Sequence, residues 1–480
     1  MHKNYYSLFV LIVAQMDFIR VTYLMSYGII ILAAGNGSRM QSSTPKVLHK
    51  LAGKPMLCHL VTTGLSLSNI KQVIVVGGAN INQLQAALPQ EKIVWAHQTK
   101  QLGTADAVAI GLTVLNPEIK NVLVLPGDAP LVSTKTLTKL ITNTTSNTIG
   151  MLTSNVEVPT GYGRIIRDGH KNFLKIVEEL DANDTEKQIT EVNTGIYLFP
   201  KDLLTRFLSK INNNNIKQEY YLTDLFKIAV DNGIAIHSEL ATHPWEIKGV
   251  NNIVQLVELE REFQLQQAID FLEKGVIILD PKRFDVRGDV EIANDVEIDI
   301  NVILVGKVIV ERGVKIGANC YIKDSTIGAN TIIEPNSMID GAYINKNAVI
   351  GPFARLRPGV NIGLKSKIGN FVEIKATVVG ENSKINHLSY VGDAKIGNNV
   401  NIGAGTITCN YDGVNKHTTI IEDDVLVGSD CQLIAPIKIN KQATIAAGTT
   451  LISDAPANKL TLNKKDQQSR EWQRPPLKGL

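Results

Sequence analysis

From residue 292 onward, an apolar side chain recurs every six positions, and few chain architectures can use that period. The series runs Ile292, Ile298, Leu304, Val310, Ile316 and Ile322, then slips by one residue. It resumes as Ile327, Ile333 and Ile339, slips again, and continues as Ile344, Ile350, Leu356, Ile362, Ile368 and Ile374. Val379, Ile385, Val391, Ile396 and Ile402 extend it. Glycine often follows the apolar residue, as at Gly317, Gly328, Gly351, Gly363, Gly369 and Gly397. An α-helix repeats about every 3.6 residues and a half-buried strand every 2, so neither produces this pattern. A solenoid does: one short strand and one turn make one flat side of a coil, and each coil stacks on the next around a shared core. Aromatic residues are only 5% of the chain, which suits an interior packed with Ile and Val.

The chain has 480 residues, enough for two or three domains. Residues 26–250 have a different texture, with apolar runs at 28–33, 72–76, 121–125, 195–198 and 235–237 alternating with helical patterns such as 54–67 and 104–115. That alternation predicts a mostly parallel sheet covered on both faces. Ligands of such sheets bind outside the carboxyl ends of the strands. Residues 252–274 read as one helix, with Ile253, Leu256, Val257, Phe263, Ile269 and Leu272 apolar and Gly275 placed to end it. The expected division is a 1–25 extension, a 26–251 domain, a 252–274 linker helix and a 275–480 solenoid with a C-terminal tail.

The extension holds an apolar run at 8–14, too short to cross a bilayer and followed by no A-x-A cleavage site. A strand pattern begins just after Met25, so Met25 is the expected start; a membrane anchor is the alternative. Net charge is +3, which gives no argument for nucleic acid or membrane as a partner. Cys58, Cys320, Cys409 and Cys431 form no CxxC pair, which fits a reducing, cytoplasmic setting.

Two stretches carry chemistry. The first strand runs into Leu32-Ala33-Ala34-Gly35-Asn36-Gly37-Ser38-Arg39-Met40, followed by Pro45-Lys46. A glycine-rich turn after a strand lets backbone N–H groups approach a phosphate, and Arg39 and Lys46 add positive charge. It is neither a Walker A loop nor GxGxxG, since Met40 takes the last position. Leu125-Pro126-Gly127-Asp128 ends a strand with a carboxylate on the ligand-binding edge, where it can be a helix cap or a magnesium ligand.

The second stretch interrupts the repeat. Arg355 and Arg357 flank the inward Leu356, Lys375 follows Ile374, and His387 and Tyr390 sit in Asn386-His387-Leu388-Ser389-Tyr390. A longer excursion over 405–419 contains Thr408-Cys409-Asn410-Tyr411-Asp412-Gly413. A histidine in a repeat protein is ordinarily structural, yet imidazole also suits general-base work near neutral pH.

L-A-A-G-x-G-x-R-M with P-K resembles the signature of sugar-1-phosphate nucleotidyltransferases, and the hexads resemble the left-handed β-helix of hexapeptide acyltransferases. From about Tyr27 to near the C-terminus, the chain resembles the bifunctional N-acetylglucosamine-1-phosphate uridylyltransferase / glucosamine-1-phosphate N-acetyltransferase family. The resemblance implies an α/β nucleotidyltransferase domain with a Rossmann-like mixed sheet, a linker helix, then a left-handed parallel β-helix. It implies a cytoplasmic homotrimer with active sites between neighbouring prisms. Its product, UDP-N-acetylglucosamine, would feed peptidoglycan, lipopolysaccharide and lipid A precursors.

Carried over residue by residue, UTP and UDP-N-acetylglucosamine would meet Leu32, Ala33, Ala34, Gly35, Lys46, Gln98, Gly103, Thr104, Gly127, Asp128, Gly163, Glu178, Asn193 and Asn251. Asp128 and Asn251 would hold Mg²⁺, with Arg39 and Lys46 neutralising phosphate charge. His387 would be the base of acetyl transfer. Arg357, Lys375, Tyr390 and Asn401 would hold glucosamine 1-phosphate. Ala404, Asn410, Tyr411, Ser429, Ala447 and Lys464 would contact acetyl-CoA, with Lys464 standing where the family can have Arg. Cys409 reads as incidental, since direct transfer needs no acylated thiol. Two rivals are another sugar nucleotidyltransferase with a regulatory β-helix and a non-catalytic scaffold keeping both folds.

Overall fold

The computed structural model describes residues 26–35, 37–88, 92–463 and 467–472. The first 25 residues with the expected start Met25, and the tail cation Lys464, lie outside the described residues. The chain divides into two compact units between Phe263 and Gln264.

The first unit is built on a nine-stranded sheet. Its strands are β1 (Tyr27–Ala33), β2 (Ile70–Gly77), β3 (Ile93–His97), β4 (Asn121–Pro126), β5 (Ile149–Asn155), β6 (Arg164–Arg167), β7 (Phe173–Val177), β8 (Glu191–Pro200) and β9 (Ile236–Leu240). The main path is β9-β5-β8-β4-β1-β2-β3, with the β6–β7 hairpin joined to β8. Strands buried on both faces read as unbroken apolar runs. Here Ile29, Ile31, Val73 and Val75 pack into one cluster with Leu57, Leu60 and Val61 of helix α1 (Met56–Ser66). Ile30, Ile74 and Val76 pack into the other with Ala107 and Val108 of helix α3 (Thr104–Thr113), which follows α2 (Ile81–Ala87).

The sheet is less parallel than the alternation suggests. β8 runs antiparallel to both β4 and β5, and β6 and β7 form an antiparallel pair. A strand's direction leaves no trace in its residue pattern. β5 also escapes the apolar-run reading because Gly150, Thr153 and Ser154 are buried within it.

The dividing helix, Ile253–Glu273, serves both units in turn. Leu259 is buried in a cluster with Met40, Leu51 and Met56 of the first unit. Gln264 caps the end of the solenoid: its amide donates to the Val286 carbonyl at 2.8 Å and accepts from Val286 N–H at 2.7 Å. Gly275, at φ 85°, follows the end of the helix.

The second unit is a parallel β-helix. Ile298, Ile316, Ile333, Ile350, Ile368, Ile385 and Ile402 stack on one another along one side, seventeen or eighteen residues apart. Three sides of six give eighteen; a coil with one five-residue side gives seventeen. The phase slips are therefore a regular part of the coil. Nearly every hexad residue is buried in one core, while Ile292 in the first coil is only half-buried. The glycines after the hexad residues reflect coil-on-coil approach: a Cβ on Gly363 would lie 2.6 Å from the Gly380 carbonyl carbon.

Corners are made by residues in the left-handed region, often Asn, such as Asn301 (φ 58°), Asn319 (φ 60°) and Asn336 (φ 61°). Their side chains form a ladder, Asn301 donating to Asn319 at 2.9 Å and Asn319 to Asn336 at 3.3 Å. The 402-to-427 step is longer, because the excursion over 410–418 is inserted there.

Candidate active sites

The carboxyl ends of β1, β3 and β4 converge on a cavity of about 290 Å³. Leu32, Ala33, Ala34, Gly35, Lys46, Gln98, Gly103, Thr104 and Asp128 all line it. Gly37 must be glycine: its φ is 60°, and a Cβ there would lie 2.6 Å from Cβ of Lys46. Gly127 N–H donates to the Leu32 carbonyl at 2.9 Å, holding the end of β4 against the turn after β1.

Lys46 Nζ lies 2.5 Å from Asp128 Oδ2 and 3.3 Å from Asn251 Oδ1. Arg39 donates to the same Asn251 oxygen at 2.8 Å. A carboxylate and an amide oxygen thus already surround one cationic centre, the Lys46 ammonium. Hard oxygen donors of this kind suit Mg²⁺, which takes one or two protein oxygens and completes its shell with water and phosphate. Among the described residues no cluster of three or more His, Cys, Asp or Glu could hold a metal. Asn251 is fixed by the helix that follows it, since Gln255 Oε1 accepts its N–H at 2.8 Å.

Gln98 donates to Asp106 at 2.8 Å and to the Gly103 carbonyl at 3.2 Å, tying the residues assigned to the base into one loop. Gly163, Glu178 and Asn193 come together: a Cβ on Gly163 would lie 3.5 Å from both Asn193 Cβ and Glu178 Oε2. Asn193 reaches this edge because β8 is antiparallel, so it presents its beginning where parallel strands present their ends. Burial pushes the Glu178 carboxyl up, against a 3.1 Å hydrogen bond from Thr223. Gln101, which donates to the Ala34 carbonyl, and Glu219 also line the cavity and were not foreseen. They come from loops whose approach to the Gly-rich turn no local motif announces.

In the β-helix, outward side chains of successive coils share a face. Glu373 pairs in register with Tyr390, and Lys375 with Gly392. Arg357 donates to Glu373 at 2.8 Å. Lys416, from the inserted loop, joins them: the Lys375 ammonium beside it holds Lys416 below the ordinary lysine range. Lys375 and Lys416 thus bring two ammonium groups together on the face that also carries Arg357, and Lys416 was not foreseen. Asn401 is elsewhere. It opens the strand Asn401–Ile402, paired with Lys384, whereas His387 lies at the other end of Lys384's own strand.

His387 is exposed, and its Nδ1 lies 2.7 Å from Oδ1 of Asn370. Ala404, Ser429 and Ala447 stack above it coil by coil, as Gly405 N–H bonds to the His387 carbonyl, Asp430 to Ala404 and Gly448 to Ser429. Three residues assigned to acetyl-CoA therefore form one column rising from His387. Asn410 donates to Asp393 at the foot of the inserted loop, and Tyr411 is exposed beyond it. Asp412 holds the loop's tip by accepting from His417 at 2.7 Å and from two backbone N–H groups. All four cysteines are free, and burial pushes the Cys409 thiol up, away from the thiolate a nucleophile needs. No described helix is long and apolar enough to cross a membrane.

Known proteins match both units. Residues 29–193 match the MobA-like NTP transferase domain. Residues 324–358 match the bacterial transferase hexapeptide (six repeats), and 418–453 the hexapeptide repeat of succinyl-transferase. The Bifunctional protein GlmU of Marinobacter nauticus is 48% identical over 93% of this chain and 98% of its own length. Those of Acinetobacter baylyi and Cupriavidus pinatubonensis are 47% and 48% identical over 94% of this chain and 99% of theirs.

Proposed function

The chain belongs to the family of bifunctional GlmU proteins, and on that premise we propose that it makes UDP-N-acetylglucosamine in two steps. It acetylates glucosamine 1-phosphate with acetyl-CoA, then transfers UMP from UTP to N-acetylglucosamine 1-phosphate. The observation that carries this reading is the coexistence in one chain of two chemically distinct clusters. One is Arg39, Lys46, Asp128 and Asn251 around a cavity; the other is the His387 column with the Arg357, Lys375 and Tyr390 face.

In the acetyl transfer, His387 takes a proton from the amine as nitrogen attacks the thioester carbonyl. The C–S bond breaks, and the leaving thiolate takes the proton back from the imidazole. Arg357, Lys375 and Tyr390 hold the sugar phosphate. Ala404, Ser429 and Ala447 line the path of acetyl-CoA, with Asn410 and Tyr411 on the loop beside it and Lys464 completing the set.

In the uridylyl transfer, a phosphate oxygen of the sugar attacks the α-phosphorus of UTP and pyrophosphate leaves. Lys46 and Arg39 neutralise the phosphates, the 32–35 turn and Gly127 offer backbone, and Gln98, Gly103 and Thr104 read the base. Gly163, Glu178 and Asn193 hold the sugar. Mg²⁺ bound by Asp128 and Asn251 would supply further charge neutralisation at the phosphates.

The working domains are 26–251 for uridylyl transfer, 252–274 as the joining helix and 275–480 for acetyl transfer, in a cytoplasmic enzyme. We assign it a homotrimer. Asn401 lies at the far end of the strand side from His387, so on one chain it does not reach the base, whereas on a neighbouring prism it can serve that prism's site.

Incubating the protein with glucosamine 1-phosphate, acetyl-CoA, UTP and Mg²⁺ tests the reading. UDP-N-acetylglucosamine, free CoA and pyrophosphate are expected. Pyrophosphate from N-acetylglucosamine 1-phosphate without CoA release from glucosamine 1-phosphate would leave a nucleotidyltransferase with a regulatory β-helix.

A further inference from the structure

We propose that Asn370 is a positioning residue for acetyl transfer: its side-chain oxygen accepts Nδ1–H of His387 and so keeps the lone pair of Nε2 free for the substrate amine. The proposal rests on His387 being the base.

Neutral imidazole carries its proton on one nitrogen only, and the hydrogen bond made by one nitrogen decides which. A general base facing the substrate with Nε2 needs the proton on Nδ1. Asn370 Oδ1 stands 2.7 Å from Nδ1, a distance for a full hydrogen bond. An amide oxygen can only accept, so this contact selects the Nδ1–H form.

The position of Asn370 also asks for an explanation that the fold does not supply. Other asparagines of this β-helix, such as Asn319, Asn336, Asn347, Asn382 and Asn399, stand at corners with positive φ, where Asn is tolerated better than most residues. Asn370 has no positive φ. It ends the strand Lys367–Asn370 in direct register with His387, one coil below. The equivalent places on other coils are taken by Ala318, Pro335, Ala404, Ser429 and Ala447, all with side chains too short or too apolar to reach a ring on the next coil. Asn463 takes the same place on the last coil, where its oxygen accepts from Thr450 N–H at 2.6 Å; from Ala318 to Ala447 a long polar side chain appears in this column at the histidine and directly beneath it.

A neutral partner matters as well. A carboxylate in this place would favour the imidazolium and lift its pKa, leaving less free base at neutral pH. An amide fixes the tautomer without adding charge.

The test uses the full-length enzyme with ¹⁵N-labelled histidine, the His387→Ala spectrum identifying the His387 signals. In the unaltered protein, above the titration of the ring, Nδ1 is expected to carry the proton. Asn370→Ala should redistribute that proton toward Nε2 and lower kcat of acetyl transfer about tenfold, a fraction of the roughly 10²–10⁴-fold that a general base contributes. KM for glucosamine 1-phosphate should stay within about twofold and uridylyl transfer should be unchanged. Asn370→Asp, which keeps an oxygen at the same point but adds charge, should recover most of the lost kcat only at pH high enough to free the ring of its second proton, with the acid limb of kcat moved to higher pH. An Nε2–H tautomer in the unaltered enzyme overturns the proposal even if no variant folds. So does an unchanged kcat in Asn370→Ala, or equal impairment of the Ala and Asp variants on the high-pH plateau of kcat. Full acetyl transfer by His387→Ala would overturn the base assignment itself, a separate outcome.

Discussion

Lys46 Nζ sits 2.5 Å from Asp128 Oδ2, and both are only partly exposed. The carboxylate holds that ammonium next to Arg39, which shares Asn251 Oδ1 with it. Two cations converge because two oxygens sit between them. On the proposed function, a nucleoside triphosphate arriving with Mg²⁺ would offer each group a new partner: phosphate oxygens for the cations, a divalent ion for Asp128 and Asn251.

Removing the cation should therefore cost transition-state stabilisation at the phosphates. Lys46→Ala is expected to lower kcat/KM of uridylyl transfer about 10²–10³-fold, the usual scale for one well-placed electrostatic contact. Acetyl transfer should not change. Pyrophosphate release and CoA release, measured on the same preparation, check both halves.

The two reactions should also separate in the opposite sense. His387→Ala should abolish acetyl transfer and leave uridylyl transfer intact, whereas Asp128→Ala should do the reverse. Chelating Mg²⁺ with EDTA should copy only the Asp128 variant. Equal loss of both activities in either variant, with an unchanged circular dichroism spectrum, would contradict two independent sites.

How much of this was legible in the sequence depends on where each partner lies along the chain. The hexads were readable because each coil repeats the same inward position, and even the slips from Ile322 to Ile327 and Ile339 to Ile344 proved to be coil geometry. The Gly-rich turn, Lys46 and Asp128 were readable because a strand end carries them in short motifs. Asn370 was not, because its partner lies seventeen residues on, at a distance that means something only once the coil length is known. Lys416 and Glu219 reach their sites through loop conformation, which residue spacing does not encode. The antiparallel β8, and with it the approach of Asn193, follows from sheet topology rather than from any pattern within the strand.

Glu178 gives a pH prediction. Burial holds its carboxyl above the ordinary glutamate range, so the acid limb of sugar binding should begin at higher pH than for an exposed carboxylate. KM for N-acetylglucosamine 1-phosphate should rise as pH falls through that raised value. The stability effect has the other sign. A carboxyl with a raised folded pKa favours the fold most when protonated, below its unfolded pKa, and this contribution is lost as pH rises through the folded value. Glu178→Gln should therefore raise Tm at neutral pH, with the gain vanishing near pH 4, while sugar affinity falls. Thermal melts across that range check it; a Tm that drops at neutral pH would mean the ionised carboxylate is well paired.

The β-helix core should show its repeat character in how damage spreads. Ile374 is fully buried between Leu356 of the coil below and Val391 of the coil above, with Glu373 and Lys375 beside it on the outer face. Ile374→Ala removes buried carbons and leaves a cavity, a loss of about 2–5 kcal/mol in a well-packed core. In a solenoid each coil is stabilised chiefly by its two neighbours, so the loss should stay local. Hydrogen exchange should quicken in the strands holding Leu356, Ile374 and Val391 and remain slow in those holding Ile316 and Ile445. Lys375 and Glu373 share the disturbed strand, so KM for glucosamine 1-phosphate should rise several-fold, while uridylyl transfer is unchanged. Uniformly faster exchange along the whole solenoid would instead show that its coils unfold as one cooperative block.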